Sequence, residues 1–293
     1  MCSAEREKIP NSAFKDDAHY PLYPINNHNK GHSMKLKDSV AIVTGSSSGI
    51  GAAIARLFAE HGCHVVINYS NNADGAQAVA DDCEKLGVRT LAVQANVAED
   101  ADCRALVDAT LEEFGRIDIL INNAGTTKFC DHANLDGLDK QDFLDLYAVN
   151  TVGPYQMTRA AEKALRANGS GHIINMASIA GLAGIGSSIA YAASKGALVT
   201  MTRSLARIMG PEVRVNAVCP GFVQGEWLKK GLGEDKYDAL LAKTKRAAPL
   251  HDTASPETVA DVCLGLIIGG DLTTGETILI DGGAHLGMAP VRR

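Results

Sequence analysis

The sequence predicts a single α/β domain, a doubly wound parallel sheet with helices on both faces. Three observations carry this. Short apolar runs alternate with stretches of helical periodicity from Leu36 almost to the C-terminus. The first run passes into the first helical stretch through a glycine-rich turn, Gly45-Ser-Ser-Ser-Gly-Ile-Gly51. No internal repeat or linker interrupts the alternation. Strands separated by helices run parallel, because each helix carries the chain back to the same end of the sheet.

In chain order, residues 1–33 stand apart. They hold Pro10, His19, Pro21, Pro24, His28 and His32, several Asn and no apolar period. Glu5, Arg6, Glu7 and Lys8 occupy the place of a signal peptide's apolar core, and scarce Arg argues against a transit peptide. A disordered N-terminal extension is expected, with Met34 opening the folded part. Ser39–Thr44 then reads as a buried strand, and Ile50, Ile54, Leu57 and Phe58 recur at helical spacing behind the glycine turn. His64–Asn68 is the second strand, and Asn72–Leu86 the second helix, closed by Gly87. Thr90–Ala95 and Asp100–Phe114 form the third strand and helix, and Ile117–Asn122 the fourth strand. One long helix is expected over Gln141–Ala167, then a strand over His172–Ala177 and a helix carrying Tyr191 and Lys195. Val213–Val218 is the sixth strand. A polar, basic insertion (Gly225–Pro249), a helix from Pro256 to about Ile268 and a last strand over Glu276–Asp281 complete the domain.

Composition limits the function. The chain has 293 residues, is 46% hydrophobic and 21% charged, and carries a net charge of −6 with no basic block. That leaves no footprint for nucleic acid and no polybasic patch for a membrane surface. No apolar run approaches the roughly 20 residues of a membrane span. The seven cysteines follow no disulfide or metal spacing, which fits reduced thiols in a cytoplasm. A reactive Cys130 or Cys219 is the alternative to small buried hydrophobes.

The chemistry concentrates in Ser178–Lys195. Ser178 ends a strand, a small-residue loop follows, and Tyr191 and Lys195 lie four apart on one helix face. A cation about 4 Å from a phenol, at an effective dielectric of ~20, favours the phenolate by as much as ~3 pKa units. The spacing therefore predicts a Tyr191 tuned toward neutral pH for acid–base work, with Ser178 holding a substrate oxygen. A plain surface pair of Tyr and Lys is the alternative, since the motif is short.

The glycine turn offers backbone N–H groups and a helix N-terminus to a pyrophosphate. Its Gly45-x-x-x-Gly49-x-Gly51 spacing is neither G-x-G-x-x-G nor a Walker loop. After the first strand of an alternating α/β pattern it marks a dinucleotide site. The second strand ends Asn68-Tyr-Ser-Asn-Asn, with no acid before Asp74 to bind a ribose 2′-hydroxyl or repel a 2′-phosphate. Tyr69, Ser70 and Asn71, with Asn72, are candidates there, and NADP(H) is favoured over NAD(H), although no Arg clamp is present.

Together these pieces resemble the short-chain dehydrogenase/reductase family, with its Rossmann fold, over Leu36–Leu286. Thr44-Gly-Ser-Ser-Ser-Gly-Ile-Gly is similar to the family's cofactor loop, which implies contacts from Gly45, Ser47, Ser48, Gly49, Ile50 and Gly51. Asn122-Asn-Ala-Gly is similar to the motif after strand four, implying Asn123, Ala124 and Gly125 against the cofactor, and Asn96-Val97 would flank the adenine. Asn150, Ser178, Tyr191 and Lys195 match the catalytic tetrad in order. The resemblance implies Tyr191 as acid/base, Lys195 as binder of the nicotinamide ribose, Ser178 on the carbonyl oxygen and Asn150 holding a relay water; an ordinary helix-kinking Asn is the alternative for Asn150.

Pro220-Gly221 matches the turn beside the nicotinamide, with Val223 following. Gly225 stands where the family places a Thr that touches the carboxamide. The insertion of about residues 225–250, with Trp227, Leu228, Lys229, Lys230 and Tyr237, takes the place of the substrate lid, and Thr126–Cys130 is expected to line the pocket. The pattern looks nearest to 3-oxoacyl-thioester reductases. It implies a small carbonyl, alcohol or acyl-thioester substrate and a homotetramer. A sugar, polyol or small-alcohol dehydrogenase, or a non-catalytic dinucleotide sensor, are the alternatives.

Overall fold

The computed structural model describes residues 35–287. The expected N-terminal extension lies outside them. Seven strands form one parallel sheet in the order β3-β2-β1-β4-β5-β6-β7. They are β1 (Val40–Val43), β2 (His64–Tyr69), β3 (Thr90–Gln94), β4 (Ile119–Asn122), β5 (Gly171–Met176), β6 (Val213–Pro220) and β7 (Thr277–Ile280). The chain winds outward from β1 to β3, returns to β4 beside β1, and winds outward again to β7. The crevice between β1 and β4 is thus the topological switch point, where doubly wound sheets bind ligands beyond the strand carboxyl ends.

A parallel sheet covered on both faces needs strands that are apolar on both sides. Every residue of β1, β4 and β5 is accordingly buried. On one face, α1 (Gly49–Glu60), α2 (Ala73–Glu84) and α10 (Pro256–Gly269) pack Ile54, Phe58, Val79 and Ile267 against Val43, Val65 and Ile121. On the other, α3 (Asp100–Phe114) and α5 (Gly153–Ala167) pack Leu106, Met157 and Leu165 against Ile42, Leu120 and Ile173. The C-terminal part of α7 (Ile189–Met209) joins that layer through Leu205 and Met209. Asp118, buried just before β4, accepts two hydrogen bonds from Arg116 and one from the Val40 N–H. It ties the start of the central strand pair together. No helix among the described residues is long and apolar enough to cross a membrane.

Two local expectations change, and the insertion gains a defined structure. The single helix over 141–167 is instead α4 (Lys140–Tyr147), a π turn (Ala148–Val152) and α5. Pro154, in the first turn of α5, cannot donate a main-chain hydrogen bond back into the preceding turn. Gly153 lies so close to Val97 that a Cβ there would sit 3.0 Å from the Val97 carbonyl. The polar, basic insertion forms two helices, α8 (Glu226–Leu232) and α9 (Glu234–Ala247), parted by Gly233 at φ +81°. The small-residue stretch before Tyr191 holds one further turn, α6 (Ala180–Ala183), ended by Gly184 at φ +65°.

Candidate active site

The strand ends deliver the site. Beyond β1, Gly45 takes φ +62°, and a Cβ there would lie 2.9 Å from the Ala124 Cα. A Cβ on Gly51 would stand 2.6 Å from both the Gly45 carbonyl and the Asn123 Nδ2. The glycines therefore let the first and fourth strand-end loops close on one another. Thr44 locks the pair: its hydroxyl accepts from the Asn123 and Ala124 N–H groups at 2.9 and 3.0 Å. Asn123 returns its amide to the Thr44 carbonyl at 2.9 Å. Asn68, buried at the end of β2, accepts from the Gly45 N–H and donates to the Ala95 carbonyl, so three strand ends are stitched around the turn.

Tyr69, Ser70 and Asn71 follow at the rim, and Ser70 and Asn71 are exposed. Asn72 also lines the cavity, and its Oδ1 caps α2 by accepting from the Gly75 N–H at 3.1 Å. Asn96 folds its side chain back onto the Ala98 N–H, and Val97 is buried, its carbonyl accepting from Gln156.

At the other end of the crevice stand Ser178, Tyr191 and Lys195. Ser178 follows β5, is nearly buried, and its hydroxyl accepts from the Ala180 N–H at 3.1 Å. The Ser188 hydroxyl caps α7 by accepting from the Tyr191 N–H, which places Tyr191 in the first turn. Lys195 is buried, donates to the Met176 carbonyl at 2.7 Å, and its Nζ lies 5.9 Å from the centre of the Tyr191 ring.

The expected tuning of the phenol is corrected here. Burial pushes the Tyr191 hydroxyl up from its ordinary value, and the neighbouring Ser178 hydroxyl opposes this only in part. The buried Lys195 ammonium is pushed down to about 8 by desolvation. A cation that is itself desolvated and turned to a carbonyl does not offset the cost of ionising a phenol largely removed from water.

Asn150 lies in the π turn and is fully buried. Its carboxamide accepts from the Thr126 N–H and donates to the Thr126 carbonyl, both at 2.9 Å, and donates to Ser194 at 3.1 Å. The side chain is thus committed to clamping the loop after β4. A relay water would have to be held by main-chain atoms.

A cavity of about 1820 Å³ runs from one end to the other. Of the candidate catalytic and cofactor-binding residues, all but Gly51 and Asn150 line it; these two stand immediately behind its wall. Thr126, Phe129 and Cys130 line it, whereas Lys128 turns away to Asp142. From the lid, Trp227 and Leu228 face the cavity and Lys229, Lys230 and Tyr237 do not. The Trp227 ring lies 6.4 Å from the Tyr191 ring and 6.1 Å from that of Phe129. Cys219 is buried beneath the site with its thiol pushed up to about 11, which removes it as a nucleophile.

Several lining residues were not legible in the sequence, among them Ile185, Lys236, Asp281 and His285. Asp281 holds the His285 ring nitrogen at 2.9 Å at the end of β7. The only sequence signal for it was its place at a strand's carboxyl end.

A doubly wound sheet that gathers a glycine turn and a Ser-Tyr-Lys cluster in one crevice defines a Rossmann-type nucleotide-binding oxidoreductase. The group this implies, a nicotinamide dinucleotide, fits the residues present: the loop at Gly45–Gly51 is open to a pyrophosphate, Gly49 has nothing within 4 Å of a built Cβ, and the cavity extends to Lys195. A family model described as enoyl-(acyl carrier protein) reductase matches residues 45–285. The chain is 42% identical over 248 residues to a protein of Streptomyces violaceoruber described as ketoacyl reductase 2 of the granaticin polyketide synthase, covering 84% of this chain and 96% of the relative. It is 33% identical over 254 residues to the 3-oxoacyl-[acyl-carrier-protein] reductase of Staphylococcus aureus, covering 86% of this chain and all of the relative. A crystal structure from Burkholderia xenovorans, described as a short-chain dehydrogenase/reductase, superposes with a TM-score of 0.79 at 41% identity, covering 85% of this chain and 98% of that one. The chain belongs to the short-chain dehydrogenase/reductase family and is a nicotinamide-dependent oxidoreductase.

Proposed function

We propose that the chain reduces the ketone of 3-oxoacyl thioesters with a preference for NADPH, Tyr191 supplying the proton. The observation that carries this is the convergence of Ser178, Tyr191 and Lys195 at one end of the cavity whose other end is the glycine turn. The likeness to two proteins described as ketoacyl and 3-oxoacyl reductases supports the substrate class.

The dinucleotide, when bound, supplies the hydride. The chain's residues do the rest. The Ser178 hydroxyl orients the ketone oxygen, and Tyr191, kept protonated by its burial, donates its proton to that oxygen as negative charge develops. Lys195, whose Nζ lies 5.9 Å from the centre of the Tyr191 ring, would hold a ribose hydroxyl of the bound dinucleotide. Asn150 keeps the Thr126 loop in place at the cavity wall. Trp227 and Phe129 set two aromatic rings beside Tyr191, an apolar surface for the substrate's carbon chain.

Two observations support NADPH. Asp74, the first acid after β2, lies inside α2, and the side chains of Ser70 and Asn71 make no hydrogen bond among the described residues. An NADPH 2′-phosphate meets no carboxylate there. A homotetramer is supported by exposed apolar side chains along α4, α5 and α7, where Leu144, Tyr155 and Ile208 are 50%, 45% and 61% exposed. Six described cysteines are free thiols, in keeping with a cytoplasmic location.

The test is loss of reduced-nicotinamide absorbance with purified protein and an acetoacetyl thioester. Oxidation of NADPH well ahead of NADH is expected, and abolished in Tyr191→Phe. Turnover only with sugars or small alcohols would move the substrate to the family's dehydrogenases. Dinucleotide binding with no turnover on any carbonyl would make the chain a sensor.

A further inference from the structure

We propose that Tyr237 is the positioning residue for the nicotinamide end of the cavity, and that it acts by pinning the main chain at Gly225. The proposal rests on the reading above that a nicotinamide dinucleotide reacts beside Tyr191.

Topology locates that end. With phosphates on the glycine turn beyond β1, the reacting ring has only the far end of the cavity to occupy. A hydride donor must approach a carbonyl at Tyr191 to about 3–3.5 Å. The wall there is the segment leaving β6, of which Pro220, Gly221, Val223 and Gly225 line the cavity. Whatever fixes this segment fixes the ring's seat.

The segment is held on two sides. On one, the Gln224 N–H donates to the Ala254 carbonyl at 2.9 Å and its side chain donates to Thr253 at 3.1 Å. On the other, the Gly225 N–H donates to the Tyr237 hydroxyl at 3.3 Å. Tyr237 is the one buried residue of the two lid helices, 4% exposed in a segment that is otherwise open. Its ring packs against Phe222 at 5.3 Å, and the Lys229 Nζ lies 5.4 Å from the ring centre. Burying a phenol costs free energy unless its hydroxyl is bonded, and among the described residues Gly225 is the partner.

Gly225 itself explains why the family's Thr is missing. It adopts φ +151°, a region that L side chains rarely enter, and a Cβ would meet no atom within 4 Å. The glycine is therefore present for its backbone, not for want of space. A Thr at this place would bring its own hydroxyl to the wall. Here the chain has turned the wall so that a hydroxyl from α9 holds it, and the lid helix and the nicotinamide seat are mechanically one piece.

The experiment is titration of the full chain with NADPH and with 2′-phospho-ADP-ribose, which lacks the nicotinamide, by calorimetry. Where the wild type prefers NADH, that dinucleotide and ADP-ribose take their places. Tyr237→Phe keeps the ring and removes the hydroxyl. It is expected to weaken NADPH binding about three- to tenfold, the range of one net hydrogen bond, with the cofactor KM rising in step. Binding of the nicotinamide-free fragment stays unchanged. Gly225→Ala, which challenges only the backbone conformation, gives the same split and serves if Tyr237→Phe does not fold. Equal weakening of both ligands, or of neither, overturns the proposal. A wild type that binds neither dinucleotide overturns the cofactor reading itself.

Discussion

Tyr191 and Lys195 show how little a residue's neighbours in sequence say about its proton. Four residues apart on a helix, they were expected to sit as cation beside phenol. In the fold Lys195 is buried and Tyr191 half-buried, and desolvation moves the phenol up and the ammonium down to about 8. The protonated phenol is the form that ketone reduction needs, and the phenolate the form that alcohol oxidation needs. The kcat/KM for oxidation is therefore expected to climb with pH across the alkaline range while that for reduction does not; a rate–pH profile in both directions checks this. Replacing Tyr191 by Phe is expected to cost about 10²–10⁴ in kcat, with the melting temperature preserved.

His172 gives a second titration, unrelated to catalysis. It is buried on β5 opposite Arg214 on β6, and burial, with the guanidinium adding to it, pushes the imidazole down to about 3. A depressed His pKa means that the unfolded chain takes up the proton first. Stability is therefore whole above the ordinary value of 6.5 and falls as pH drops from there toward 3, by on the order of 4 kcal/mol if fully expressed. Urea melts at pH 7 and pH 5 are expected to show about 2 kcal/mol of that loss in the wild type, the part that falls between 6.5 and 5, and much less of it in His172→Asn.

At the scale of elements, the informative departures occur where the chain serves the site. The helical period of 141–167 was legible, but the π turn within it was not. It arises because Asn150 reaches across to both main-chain groups of Thr126, and because α5 begins where Gly153 fits against Val97. Such turns concentrate at functional sites. Gly153→Ala would force a methyl to within 2.9 Å of Val97 Cγ2. It is expected to cost about 1–3 kcal/mol, visible as a fall of several degrees in melting temperature. The lid's helices were not assigned from sequence, because α8 and α9 bury almost nothing and so carry little apolar period. Their one buried anchor, Tyr237, looks in sequence like any aromatic of a pocket wall.

At the scale of the whole molecule, the sheet gathers two chemistries that lie over a hundred residues apart in the chain. Gly45 follows β1 and Lys195 sits on the helix after β5, yet both line one cavity because β1, β4 and β5 are adjacent. The exposed apolar strip on α4, α5 and α7 belongs to this scale too. The wild type is expected to run as a tetramer by light scattering, and Tyr155→Glu with Ile208→Glu to shift it toward smaller species; a wild-type monomer at high concentration would refute that assembly.

The sequence by itself determined the strand order of events, the parallel sheet, the glycine turn and the Ser178, Tyr191 and Lys195 set. Each of these is written in local signals, namely period, turn chemistry and short spacing. Only the tertiary structure decided that Asn72 caps a helix, that Asn150 spends its carboxamide on Thr126, that Tyr191 is raised and that Tyr237 holds Gly225. These depend on burial and on partners distant in sequence, and a polar side chain's role is set by which partner the fold leaves within hydrogen-bonding reach.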